Sequence, residues 1–175
     1  SVLSNKSYLP YKIPIPVGPP FYDLKNLKNQ LNPHFLFNTL NNIYALIPIC
    51  QEKAQKSVHE LSQLLRYSLY SNENREVPLE KELLFIKNYI SLMKLRLNSL
   101  VSLDANIDEN IGNGKFIAPM LLITLIENAF KHGIIPARRS FIDVSIIQTQ
   151  HYIIFNCLNS CSQQKACVQK GGLGL

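Results

Sequence analysis

The sequence predicts an α + α/β protein, with a run of helices followed by a mixed α/β unit, and three observations carry that reading. Apolar residues recur at spacings of three and four through the first half of the chain. After Asn98 the pattern switches to strict alternation, as in Val101, Leu103, Ala105 and Ile107. Pro48, Pro78, Gly112, Gly114, Pro119 and Gly133 fall where one such stretch gives way to the next.

Residues 1–21 hold Pro10, Pro14, Pro16, Pro19 and Pro20, a density that forbids helix and favours an extended linker. Leu24, Leu27, Leu31 and Phe35, then Leu36, Leu40, Ile43 and Ile47, trace a helical stripe that Pro48 ends. A second stripe runs through Val58, Leu61, Leu64, Leu65 and Leu69, and Ser71 to Asn74 reads as a connection. A third helix is expected to begin at Pro78, as a first-turn residue with Glu80 behind it. It runs through Leu83, Ile86, Ile90, Met93 and Leu97. Three helices with short joints suggest a hairpin or bundle.

Beyond Asn98, Val101 to Ile107 reads as a strand and Gly112-Asn113-Gly114 as a turn. Pro119 is expected to open an apolar helix from Met120 to about Lys131, with Gly133 as its stop. Phe141 to Thr149 and Tyr152 to Leu158 read as two strands joined at Gln150-His151. The expected organisation is a linker at 1–21, a helical domain at 22–98 and an α/β domain at 99–175. The polar, glycine-rich tail is read as the point where that second domain is cut short.

Hydrophobic residues make up 46% of the 175, enough for a core. The net charge of +6 suits acidic partners in general. Lysines such as Lys25, Lys53 and Lys87 are scattered as on solvated helix faces, which argues against a nucleic-acid surface. No apolar run approaches the roughly 20 residues that span a bilayer, and no signal peptide is visible. Cys50, Cys157, Cys161 and Cys167 lack both a disulfide framework and paired zinc-ligand spacing, so a reduced cytoplasm is the simpler setting.

Three segments carry chemistry. In Gln30-Leu31-Asn32-Pro33-His34-Phe35-Leu36-Phe37-Asn38, His34 and Asn38 lie four apart and share a helix face. Histidine is a nucleophile whose neutral form exists at physiological pH. The same residues also fit a helix start, with Asn32 as cap and Pro33 as first residue. In Glu127-Asn128-Ala129-Phe130-Lys131-His132-Gly133, a carboxylate and an amide oxygen are hard ligands suited to Mg²⁺. Lys131 and His132 add charge and donors for phosphate; an ordinary polar helix end is the competing account. Gly171-Gly172-Leu173-Gly174-Leu175 would let backbone N–H groups approach a phosphate, or be a flexible terminus.

Taken in this order, the segments resemble the LytS/YehU-type sensor histidine kinases, from about Leu24 to Leu175. Gln30 to Asn41 is similar to that family's phosphoacceptor motif. Leu61-Ser62-Gln63-Leu64-Leu65-Arg66-Tyr67 is similar to its second helix. Leu79, Glu82-Leu83, Ile86, Tyr89-Ile90 and Arg96 are similar to its third. Pro119 to Leu122 and Glu127 to Gly133 look like the N box of the GHKL ATP-binding fold, and Gly172 to Leu175 like the start of its second glycine box. Where relatives often carry an Asp-Gly pair, this chain has Phe155 to Ser160, and Asn159 is the best match for the adenine-contacting aspartate.

The resemblance implies a helical hairpin that dimerises into a four-helix bundle, followed by an incomplete GHKL-type α/β sandwich. It implies ATP and Mg²⁺ as cofactors and autophosphorylation on His34, with His34, Asn38 and Glu127 as catalytic candidates. Asn128 would hold Mg²⁺. Asn128, Lys131, His132, Asn159, Gly172 and Gly174 would bind the nucleotide. The implied partners are a second copy of the chain and a response regulator of LytTR type, with no nucleic acid. The resemblance also implies a cytoplasmic position, the parent being anchored in the inner membrane through segments outside this chain. A scaffold of the same fold that has lost turnover is the alternative.

Overall fold

The computed structural model describes residues 11–14, 33–71, 74–108, 111, 114–149 and 151–161. Helices α1 (Pro33–Leu46) and α2 (Gln51–Ser71) form a hairpin whose turn holds Pro48. The Cys50 N–H closes on the Leu46 carbonyl at 2.8 Å, satisfying an orphan carbonyl at the helix end. Leu24, Leu27, Leu31 and the candidate cap Asn32 lie outside the described residues.

Helix α3 (Leu79–Lys94) runs antiparallel to α2. Its start differs from expectation. Pro78 is not in the first turn: at φ −55°, ψ 131° it is extended and belongs to β2 (Val77–Pro78). β2 pairs antiparallel with β4 (Phe116–Ile117), and the Leu79 N–H donates to the Lys115 carbonyl at 2.9 Å. That bond takes the role of a cap for one orphan donor of the helix. The helix stops at Lys94, and Leu97 lies in the turns that follow.

The main sheet has the order β1-β6-β5-β3. β3 (Val101–Ile107) and β5 (Ser140–Gln148) are parallel, so they need a crossover, which α4 (Ile123–Gly133) supplies. β5 and β6 (Tyr152–Asn159) form the expected antiparallel hairpin. β1 (Tyr11–Pro14), within the stretch read as linker, is extended and pairs as an edge strand on β6. An edge is where a strand ending in proline is tolerated.

Pleat alternation puts Ile142, Val144 and Ile146 of β5 inside, with Ile153 and Phe155 of β6. Register aligns Leu103 with Ile142 and Ile142 with Asn159, so Asn159 closes a cross-strand row on the inner face. Helix α4 covers that face with Ile123, Ile126, Ala129 and Phe130.

The start of α4 also differs from expectation. Residues 119–122 are turns, and the helix begins at Ile123. Met120 sits at φ 63°, a left-handed conformation that costs a non-glycine residue about 1–2 kcal/mol. Gly133 is the last residue of α4, and the helix does not end on a left-handed glycine. Glycine is needed there for space: a Cβ would lie 2.6 Å from the Cβ of Asn159.

Candidate functional site

Helix α1 has two apolar faces and one polar strip. Phe35, Thr39 and Ile43, four residues apart, are buried against the chain. Phe37, Leu40 and Tyr44, joined by Ile47 in the turn, stay exposed. His34, Asn38, Asn41 and Ala45 follow a third line along the helix. His34 is exposed there. The Asn38 amide nitrogen lies 3.1 Å from His34 Nδ1 and 3.0 Å from Nε2. A nitrogen equally close to both cannot lie along either in-plane lone pair, so the amide rests on the ring's face. That contact steadies the exposed imidazole.

Phe35, next in sequence, anchors the histidine's helix. Its ring stacks on Tyr89 of α3 with centroids 5.0 Å apart, and Tyr89 meets Phe130 of α4 edge-on at 6.0 Å. A continuous aromatic bridge therefore joins α1, α3 and α4. Burial pushes the Tyr89 hydroxyl well above its ordinary value; the nearby Glu127 charge adds to this and Arg96 opposes it. Glu127 is half-buried, and burial raises its carboxyl above the usual range.

On the opposite side of α4, Thr124, Asn128 and Lys131 project together into solvent, with His132 on the flank. The apolar side of the helix is fixed by the sheet, so this open face has a set orientation. The end of α4 meets the end of β6 at the Gly133–Asn159 approach. The Asn159 amide nitrogen donates to the Ser160 carbonyl at 2.7 Å, which turns the side chain's oxygen into its remaining acceptor. The structure places Glu127, Asn128, Lys131 and His132 on the last turns of α4, sets Asn159 on the sheet side against Gly133, and presents His34 and Asn38 on α1. Gly172 and Gly174 lie outside the described residues.

Beneath this arrangement sits a residue that motif reading matched but gave no task. Glu82 of α3 is fully buried. Its Oε2 accepts from the Tyr67 hydroxyl of α2 and from the Met120 N–H at 3.1 Å. Burial raises the Glu82 carboxyl, while Tyr67 and the Met120 and Leu122 N–H groups pull it down. The signal that could have found it is a carboxylate in the first turn of an otherwise apolar helix surface. Two further polar contacts join α2 to α3. Asn88 donates to Gln63 at 2.9 Å and Ser91 to Glu60 at 2.9 Å.

Among the described residues no three His, Cys, Asp or Glu side chains cluster to hold a metal ion. No helix among them is long and apolar enough to cross a membrane.

Comparison with known proteins shows what part of this chain is similar to. Residues 22–101 match the family model for histidine kinase, a stretch that includes His34, α1, α2 and α3. The particular relatives are sensor kinases of staphylococci. An uncharacterized sensor-like histidine kinase of Staphylococcus epidermidis is 39% identical over 110 residues. The sensor protein kinase HptS of Staphylococcus aureus strains USA300 and N315 is 41% identical over 110 residues. Each match covers 63% of this chain and 21% of the relative, so the matched chain spans about a fifth of those proteins. The four helices and the mixed sheet are those of an α+β arrangement consistent with a histidine kinase domain.

Proposed function

We propose that this chain is the phosphoacceptor and nucleotide-binding part of a sensor histidine kinase of the LytS/YehU type. It would phosphorylate His34 from Mg·ATP and pass the phosphoryl group to a response-regulator aspartate, of LytTR type by resemblance. The observation that carries the reading is His34 itself: it lies inside the histidine kinase match, on an ordered helix, exposed, with its ring steadied by Asn38.

The residues present fit Mg²⁺ and ATP. Asn128 offers a neutral hard oxygen on the open face of α4, one turn from the Lys131 charge, and a Mg²⁺ ion held by few protein ligands takes the rest from phosphates and water. Bound Mg·ATP would supply the transferable phosphoryl group and the charge that neutralises its transfer. Asn128 would ligate the metal, Lys131 and His132 would face the phosphates, and Glu127 would orient the groups beside it. The Asn159 oxygen would accept from the adenine amine, and the N–H groups about Gly172 and Gly174 would meet phosphate. His34 would attack through a ring nitrogen, with Asn38 holding the ring.

The exposed apolar line of Phe37, Leu40, Tyr44 and Ile47 supports dimerisation of the α1–α2 hairpin into a four-helix bundle. Such a line, beside the strip that carries His34, would leave the histidine at the margin of the bundle. The full-length parent incubated with Mg·ATP should gain an acid-labile, base-stable phosphoryl group. His34→Gln should abolish it at unchanged circular dichroism, and Asn128→Ala should reduce it at least tenfold. Equal labelling of His34→Gln would overturn the assignment.

A further inference from the structure

Glu82, Tyr67 and Met120 come from three separate parts of the fold, and no task in the chemistry above falls to Tyr67 or Glu82. Tyr67 is on the α1–α2 hairpin, Glu82 on α3, and Met120 on the turn that leads into α4. All three meet at one oxygen. Oε2 of Glu82 takes both the Tyr67 hydroxyl and the Met120 N–H, whereas Oε1, equally buried, has no hydrogen-bond partner. The two donors on Oε2 therefore hold this carboxylate, with the Leu122 N–H adding to its stabilisation.

Met120 is the sensitive member. Its φ of 63° is sparsely populated for a side chain of its size, and such conformations persist only where the surroundings over-determine them. Leu122, two residues on, is the N-cap of α4 and makes no side-chain capping bond. The bond from Glu82 is the fixed point just ahead of the helix that bears Glu127, Asn128 and Lys131. The bond from Tyr67 ties that fixed point to the hairpin bearing His34. Its ring packs on Phe85 at 4.8 Å, so the hydroxyl is aimed by α3's own core.

We propose that Tyr67 and Glu82 are positioning residues for α4: they set where the helix begins, and they make its orientation depend on the packing of the phosphoacceptor hairpin. The inference rests on the reading of α4 as the nucleotide helix for its consequence in kinase activity, but its structural half does not. A change in the hairpin that withdraws the Tyr67 hydroxyl would loosen Met120 and, with it, the open face of α4.

The test uses the full-length protein and two variants chosen to fold. Tyr67→Phe removes only the hydroxyl and keeps the ring on Phe85. Glu82→Gln keeps an oxygen able to accept both donors. Hydrogen exchange followed by mass spectrometry should rise at least fivefold in peptides spanning 119–126 of Tyr67→Phe. Peptides of β5 should keep wild-type rates, and Glu82→Gln should stay near wild type. Labelling of His34 should show a KM for Mg·ATP raised several-fold in Tyr67→Phe, with kcat changed less. Unchanged exchange at 119–126, or a uniform rise across the molecule, would overturn the coupling. Failure of the wild type to label would instead sink the kinase reading and leave the exchange result to decide the coupling.

Discussion

Helices α1 and α3 both pack against α2, and both are rich in apolar residues, yet the chain treats them differently. α3 is enclosed on nearly every side: Leu79, Leu83, Phe85, Ile86, Tyr89, Ile90, Leu92 and Met93 are all buried. α1 buries Phe35 and Ile43 while leaving Phe37, Leu40 and Tyr44 in the open, Tyr44 at 77% exposure. Apolar spacing alone marks both as core helices. The difference shows that a helix can carry more apolar surface than its own chain covers.

The contrast can be broken most forcefully by truncation. Phe85→Ala, deep in α3, should cost about 3–5 kcal/mol of unfolding free energy. Phe37→Ala should change it by no more than about 0.5 kcal/mol, measured by urea unfolding at a concentration that keeps the chain monomeric. A comparable loss from both would mean that the outer face of α1 is packed within one chain.

Added volume sharpens the same comparison more gently. Gly133→Ala should cost about 1–3 kcal/mol, because its methyl group would collide with Asn159. Asn159→Gly should relieve that collision, giving a double-mutant coupling of at least about 0.5 kcal/mol. Ala45→Leu, on the exposed strip of α1, should be tolerated. Additive losses at 133 and 159 would remove the close approach as the reason for glycine.

The smallest effect concerns charge. Burial holds the Glu82 carboxyl above its ordinary 4.5, so the folded state binds that proton more tightly than the unfolded chain does. Its contribution to stability is therefore complete below the unfolded value and lost as pH rises through the folded one. Glu82→Gln should flatten the fall in stability over that window. A steeper fall in the variant would show that the carboxylate is favoured inside.

Much of this architecture is legible in the chain. The His34–Asn38 spacing, the alternation of β3 and the β5–β6 hairpin follow from local periods, which need no knowledge of distant residues. What escaped sequence reading depends on distance. Helix α4 starts at Ile123 and not at Met120 because a carboxylate 38 residues earlier holds the Met120 N–H outside the helix. Pro78 is a strand residue because Phe116 lies opposite it. Gly133 looks like an ordinary helix stop, and only the return of β6 reveals the steric reason. Strand β1 pairs across more than a hundred residues with β6, and no local pattern marks that partner.

Three polar contacts step along the seam between α2 and α3: Glu60 with Ser91, Gln63 with Asn88, Tyr67 with Glu82. Along α2 they sit roughly one helical turn apart, like teeth on a key. A slide of one turn would unseat all three together and set each buried group against the wrong neighbour, an expense no single rung could recover. The seam consequently has detents and resists drifting between them. A displacement arriving along α2 would be held back until it is large enough to clear every tooth, and would then pass to α3 whole.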